Sequence, residues 1–292
     1  MTPQNSNNPF LQLKVRSLLL RFVLVTIVVG IGIGLIQGFS GLKINDKLMT
    51  PIIYILVFGL LCLWVLADFN RLGINRNYVI GRLPNNQRWL PLIGLVMMML
   101  VFSISAYLVS FYLLSLVAPS FVERLLHGVA SSPTTRNTAP LLYNLLNAIV
   151  LVIAAPLAEE FLFRGIILQR WASKWGIRSA LVVSSLLFGF GHANVVGLSV
   201  VGLILGVLYI KTRTLIVPIA CHALNNSVVV VLTLLPSGSK TLSTTKMLER
   251  LHSDWLFGLI LMALSLPVLV RFLSQNWPHK DAAIPYSINA NQ

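Results

Sequence analysis

"LIGLVMMMLVFSISAYLVSFYLLSLV", residues 92–117, runs for 26 residues without a charged side chain. As a helix it would rise about 39 Å, more than the ~30 Å hydrocarbon core of a bilayer. "FVLVTIVVGIGIGLI" (22–36) and "PIIYILVFGLLCLWVLA" (51–67) repeat the pattern nearer the N-terminus. The 292-residue chain is 56% hydrophobic and 10% charged, with a mean hydropathy of +0.82. Soluble domains carry about 25% charged residues. The fold class expected is therefore all-α, a polytopic transmembrane helical bundle.

Hydropathy places about eight spans, near 22–39, 51–67, 91–117, 141–168, 179–193, 195–210, 215–235 and 255–273. The formal net charge of +14 would suggest nucleic acid in a soluble protein. Here topology explains it, because Lys and Arg gather on the cytoplasmic side, and no nucleic-acid partner is expected. With the N-terminus inside, fifteen of the 22 basic residues fall in cytoplasmic segments and seven outside. The orientation expected is N-in and C-in. Lys14, Arg16 and Arg21 before the first span resemble a signal-peptide n-region, but no convincing cleavage site follows. Cys62 and Cys221 lie in apolar segments without CxxC spacing and read as ordinary buried thiols.

Three regions follow: 1–140 with three spans and a polar N-terminal tail, a 141–235 core, and 236–292 with the last span and a polar C-terminal tail. The tail "MTPQNSNNP", the outer loop "SSPTTRNT" (131–138) and residues 277–292 are expected to be dispensable for packing. A short hairpin is expected near 179–210. Arg178 and Lys211 are both cytoplasmic by charge, and the 32 residues between them are too few for two crossings of about 20 each. "HANVVG" (192–197) is then the apex, at a depth where irregular backbone needs protein or a water-filled cavity around it.

Ionisable groups at membrane depth are costly and mark functional sites. In this chain they are Glu159, Glu160, Arg164, His192 and His222, with Asn225 and Asn226 beside the last. The other six acids fall at span ends or in loops. Within "PLAEEFLFRG" (156–165), Glu160 and Arg164 are four apart and share a face, while Glu159 is turned about 100° away. His222 and Asn226 repeat the spacing of four, which favours Asn226 over Asn225. Counted from the flanking basic residues at about 1.5 Å per residue, Glu159, His192 and His222 reach similar depth on three different helices.

A free carboxylate, two imidazoles and a carboxamide can hydrolyse a bond with activated water. Glu159 would take a proton from water and pass it to a leaving amine. A neutral His and the Asn226 amide would donate to a tetrahedral oxyanion, while Glu160 and Arg164 support the helix. The same Glu159, His192 and His222 could instead hold one divalent metal such as zinc, with a position open to water. Other protease patterns fail. There is no HExxH, there is no intramembrane Asp pair, and "GFSG" (38–41) puts Ser40 in a Gly-rich exit that a loop explains as well.

The motifs together are more specific. "EEFLFR" (159–164) fits EExxxR, "FGFGH" (188–192) fits FxxxH, and "HALNN" (222–226) fits HxxxN. In this order on successive spans they resemble the CPBP (Abi) family of intramembrane proteases, related to the type II CAAX prenyl endopeptidases. The resemblance covers about 150–235. It implies an endopeptidase acting on a membrane-associated peptide or protein, prenylated CAAX-type or bacteriocin-related, in a bacterial inner membrane. It also implies that Glu159, assisted by His192, activates water and that His222 and Asn226 stabilise the oxyanion or help position the water. Both metal-dependent and metal-free mechanisms have been argued for the family. Two other classes stand beside the enzyme. A non-catalytic adaptor or immunity protein would use the same cavity for binding, and a transporter would use a buried Glu as proton relay. The chain lacks the repeated halves many transporters show.

Overall fold

The computed structural model describes residues 8–40, 46–131, 141–234 and 243–292, whose regular structure is all helical. Among these residues seven helices are long and apolar enough to cross a membrane. They are α1 (Val15–Ser40), α2 (Asp46–Leu72), α4 (Trp89–Val117), α6 (Leu141–Trp175), α8 (Val195–Thr212), α9 (Ile216–Leu234) and α10 (Thr244–Asn276). Short α3 (Arg76–Ile80) and α5 (Pro119–Ser131) lie between spans, and α11 (Pro285–Ala290) ends the chain. An eighth apolar helix, α7 (Ile177–Phe190), has only 14 residues, about 21 Å of rise. It is the short limb of the expected hairpin. On α1, Leu20, Val23, Ile27 and Ile31 face outward. Such a stripe is costly in water and at home against lipid. The protein is a multi-pass integral membrane protein.

Parts of the outer loop (from residue 132), the N-terminal tail through residue 7 and Gly41 of "GFSG" lie outside the described residues, as do Lys43, Arg136 and Lys240 of the charge count.

The hairpin is built by close approach. α7 and α8 pack along their length, and a Cβ on Gly189 would overlap Ser199 Oγ and come within 2.5 Å of Val195 O. At the apex Asn194 caps α8 by accepting from Gly197 N (3.1 Å). Its amide nitrogen donates to Ser103 O (2.7 Å) and Ser103 Oγ (3.0 Å) on α4. Irregular backbone at depth is thus fastened to a neighbouring span. A core of Leu95, Val96, Met99, Ile204, Leu205 and Val217 joins α4, α8 and α9.

The chain ends correct one expectation. Residues 277–292 read as a polar tail dispensable for packing, yet Ile284 and Tyr286 are buried in the core cluster with Phe10. Phe10 meets Tyr286 edge-on at 5.1 Å, and Asn8 Nδ2 donates to Ser173 Oγ at 2.8 Å. Asn289 Nδ2 donates to Tyr78 O (2.8 Å) and Arg213 O (2.9 Å). Each anchor is a single residue in a polar context, too sparse to raise a hydropathy window. Both chain ends therefore lie on the same side of the bundle, as the N-in, C-in reading requires.

Candidate active site

α6 presents the carboxylates, and its local geometry follows from Pro156. The helix is π-helical over Val150–Ala154, α-helical over Ala155–Glu160, and π-helical again over Phe161–Leu168. π-turns are rare and gather at functional sites. In the first π-turn Ala155 N donates to Val150 O, five residues back. The next donor in that register, for Leu151 O, would be residue 156, a proline with no N–H. Leu151 O accepts instead from Asn226 Nδ2 on α9, at 2.8 Å. Proline, π-turn and asparagine are one arrangement.

Glu160 is fully buried and Arg164 is 3% exposed. Arg164 Nη1 donates to Glu160 Oε1 (2.7 Å), and Nη2 donates to Gly202 O on α8 (2.8 Å). Its guanidinium also lies 4.6 Å from the Phe188 ring centre. Glu160 is not spent on Arg164 alone, because His222 Nδ1 lies 2.9 Å from the same Oε1. A carboxylate already paired with Arg can only accept there, so His222 carries its proton on Nδ1. His192 Nδ1 lies 2.7 Å from Phe188 O. A carbonyl also only accepts, so His192 is protonated on Nδ1 as well. Phe188 packs against both rings, at 4.8 Å from His192 and 5.9 Å from His222.

Both histidines therefore turn Nε2 inward. His192 Nε2 is 3.8 Å and His222 Nε2 is 4.0 Å from Glu159 Oε2. That oxygen is buried with no hydrogen-bond partner of its own. Glu159, His192, His222 and Asn226 all line one cavity of about 780 Å³, with apolar walls from Phe22, Phe58, Leu61, Phe163 and Phe190 among others. The structure brings together all four candidate catalytic residues and places Glu160 and Arg164 directly behind them.

The donor types at this centre suit zinc, but their spacing does not close on an ion. Ligand atoms sharing one tetrahedral zinc lie about 3.3 Å apart, given bonds of about 2.0–2.1 Å. Among the described residues no three His, Cys, Asp or Glu side chains converge tightly enough to hold a metal as they stand.

One contact was invisible to motif reading. Tyr54 on α2 donates its hydroxyl to Glu159 Oε1 at 2.8 Å and stacks on Phe58 at 4.3 Å. In sequence it is one aromatic residue in the outer half of an apolar run, where membrane interfaces collect tyrosines. Only its depth beside a carboxylate distinguishes it.

Comparison with known proteins addresses the same core. Residues 140–228 match the model of the type II CAAX prenyl endopeptidase Rce1-like family. The likeness to that family is confined to this segment, under a third of the chain. A relative from Bacillus subtilis (strain 168), named "Putative membrane peptidase YdiL", is 35% identical over 91 residues. That alignment covers 30% of this chain and spans only 37% of the relative's length. No solved structure matches the chain significantly. The matched segment contains Glu159, His192, His222 and Asn226, whereas Tyr54 and Phe58 come from the spans before it.

Proposed function

We propose that this protein is an intramembrane endopeptidase in which Glu159 activates water against a peptide bond of a membrane-associated substrate. The observation that carries the reading is the unpartnered, buried Glu159 Oε2 facing two imidazole nitrogens at the wall of a large apolar cavity. A water here can donate one hydrogen to Oε2 and the other to His192 Nε2. Glu159 takes the first proton as the water oxygen bonds to the substrate carbonyl carbon, and the carbonyl π pair moves onto oxygen. The same proton then passes to the departing amine as the C–N bond breaks.

The oxyanion needs donors. An imidazole whose Nδ1 hydrogen is committed can donate from Nε2 only when doubly protonated. His222 in that state keeps its Nδ1 hydrogen on Glu160 at 2.9 Å, and its charge offsets that of the oxyanion. The second amide hydrogen of Asn226 is the other available donor, the first being held by Leu151 O. No step is routed through a metal. The apolar walls suit a peptide that carries a lipid-like or strongly apolar moiety, prenylated CAAX-type or bacteriocin-related.

Membrane peptides compared by proteomics between cells carrying the natural protein and Glu159→Ala test the reading. Substrate should accumulate uncut in the variant, with turnover lower by about 10²–10⁴-fold, the usual worth of an acid–base group. His192→Ala should behave alike. Full cleavage by a stably inserted Glu159→Ala protein rules the reading out.

A further inference from the structure

We infer that Tyr54 is a positioning residue that assigns the two oxygens of Glu159 different tasks, holding Oε1 and leaving Oε2 to act on water. The inference rests on the proposed role of Glu159. A carboxylate on a free side chain can rotate and present either oxygen. Here Oε1 accepts from Tyr54 (2.8 Å), while Oε2 has no partner and is the Glu159 oxygen that faces both Nε2 atoms, at 3.8 and 4.0 Å. The phenol is itself fixed. Its ring stacks on Phe58 with planes 21° apart, and Phe58 leans on Phe22 of α1 at 5.7 Å. This ladder runs along the wall of the same cavity. The first two spans, which lie outside the matched segment, thus complete the site by setting the carboxylate's rotation. An interaction that fixes geometry without touching the substrate acts on turnover rather than on binding.

Tyr54→Phe removes the hydroxyl and keeps the ring. In purified protein reconstituted into liposomes, turnover of a fluorogenic S-farnesyl peptide with a C-a-a-X end should fall about 10- to 100-fold. KM should change by less than about twofold, since the cavity wall is intact. The thermal midpoint should match that of the natural protein. In a Glu159→Gln background the Tyr54→Phe change should add nothing to the residual rate, because the two act as a unit. A substrate-free readout is the modification of Glu159 by an apolar carbodiimide, followed by mass spectrometry. Releasing Oε1 should make it several-fold faster. An unchanged modification rate, natural turnover in Tyr54→Phe, or a raised KM at constant turnover overturns the inference. The two readings fail separately. A Glu159→Ala protein that still cleaves removes both, whereas an inactive Glu159→Ala beside a fully active Tyr54→Phe removes only the role of Tyr54.

Discussion

Asn226 has two tasks at the residue scale, and they can be separated. The motif reading made it an oxyanion donor, but one of its hydrogens is committed to Leu151 O. That carbonyl is free because position 156 is proline. Pro156→Ala supplies the missing N–H and should partly replace Asn226 as the partner of Leu151 O. If holding the π-turn accounts for part of the asparagine's value, Pro156→Ala should restore activity to Asn226→Ala about fivefold, the equivalent of one net hydrogen bond of ~1 kcal/mol. Equal activity of Asn226→Ala with and without Pro156→Ala would leave the oxyanion as its only task. The measurement is initial rate in matched membranes. Glu159, Glu160, Arg164, His192, His222 and Asn226 were all legible in the sequence, because ionisable and amide groups stand out in apolar runs. Their hydrogen-bond directions were not legible. Tautomers at His192 and His222 depend on Phe188 O and Glu160, and the second depends on how α6 meets α9.

The hairpin of α7 and α8 is the element most readable from sequence, since span arithmetic alone showed it to be short. The means by which it holds His192 were less visible. Gly189 sits one turn before His192, where α8 comes too near for any side chain, with Val195 O 2.5 Å from a built Cβ. Of the three nearest atoms, Val195 O and Ser199 N are backbone of α8 and only Ser199 Oγ is a side-chain tip, so the obstruction is the helix itself. Gly189→Ala should therefore wedge the two helices apart, at about 1–3 kcal/mol. His192 Nε2 moves with α7, and its 3.8 Å approach to Glu159 is lost. The expected result is a lower thermal midpoint together with a loss of cleavage larger than the loss of folded protein. A natural cleavage rate in Gly189→Ala would mean that α8 yields without moving the histidine. The π-turns of α6 lay beyond sequence reading, because hydrophobic spacing over one or two turns does not separate 3.6 from 4.4 residues per turn.

At the scale of the whole molecule, the bundle is closed on one side by its own two ends. Hydropathy windows register long apolar runs and average away an isolated Phe10 or Tyr286, so segments that looked dispensable turn out to be packed. Phe10 touches Phe69 of α2 and Tyr286 of α11, and Tyr286 N approaches Gln169 Oε1 on α6 at 3.5 Å. Gln169 in turn donates to Tyr209 Oη at 2.7 Å, and that hydroxyl donates to Val79 O at 2.9 Å. The terminal segment thus covers a buried polar network linking α3, α6 and α8 on the side away from the hairpin apex. Deleting residues 284–292 removes three buried side chains, Ile284, Pro285 and Tyr286, the first and last worth about 1.5–3 kcal/mol each, offset in part by the ordering entropy of the nine residues released. A net loss of about 1–3 kcal/mol should appear as a lower thermal midpoint in detergent. Glu159, His192 and His222 do not touch this segment, so the folded fraction should cleave at the natural rate per molecule. A truncated protein that melts like the full chain would show residues 284–292 to be dispensable for packing, as their composition suggests. One that folds but no longer cleaves would tie this closure to the geometry of α6 around Glu159.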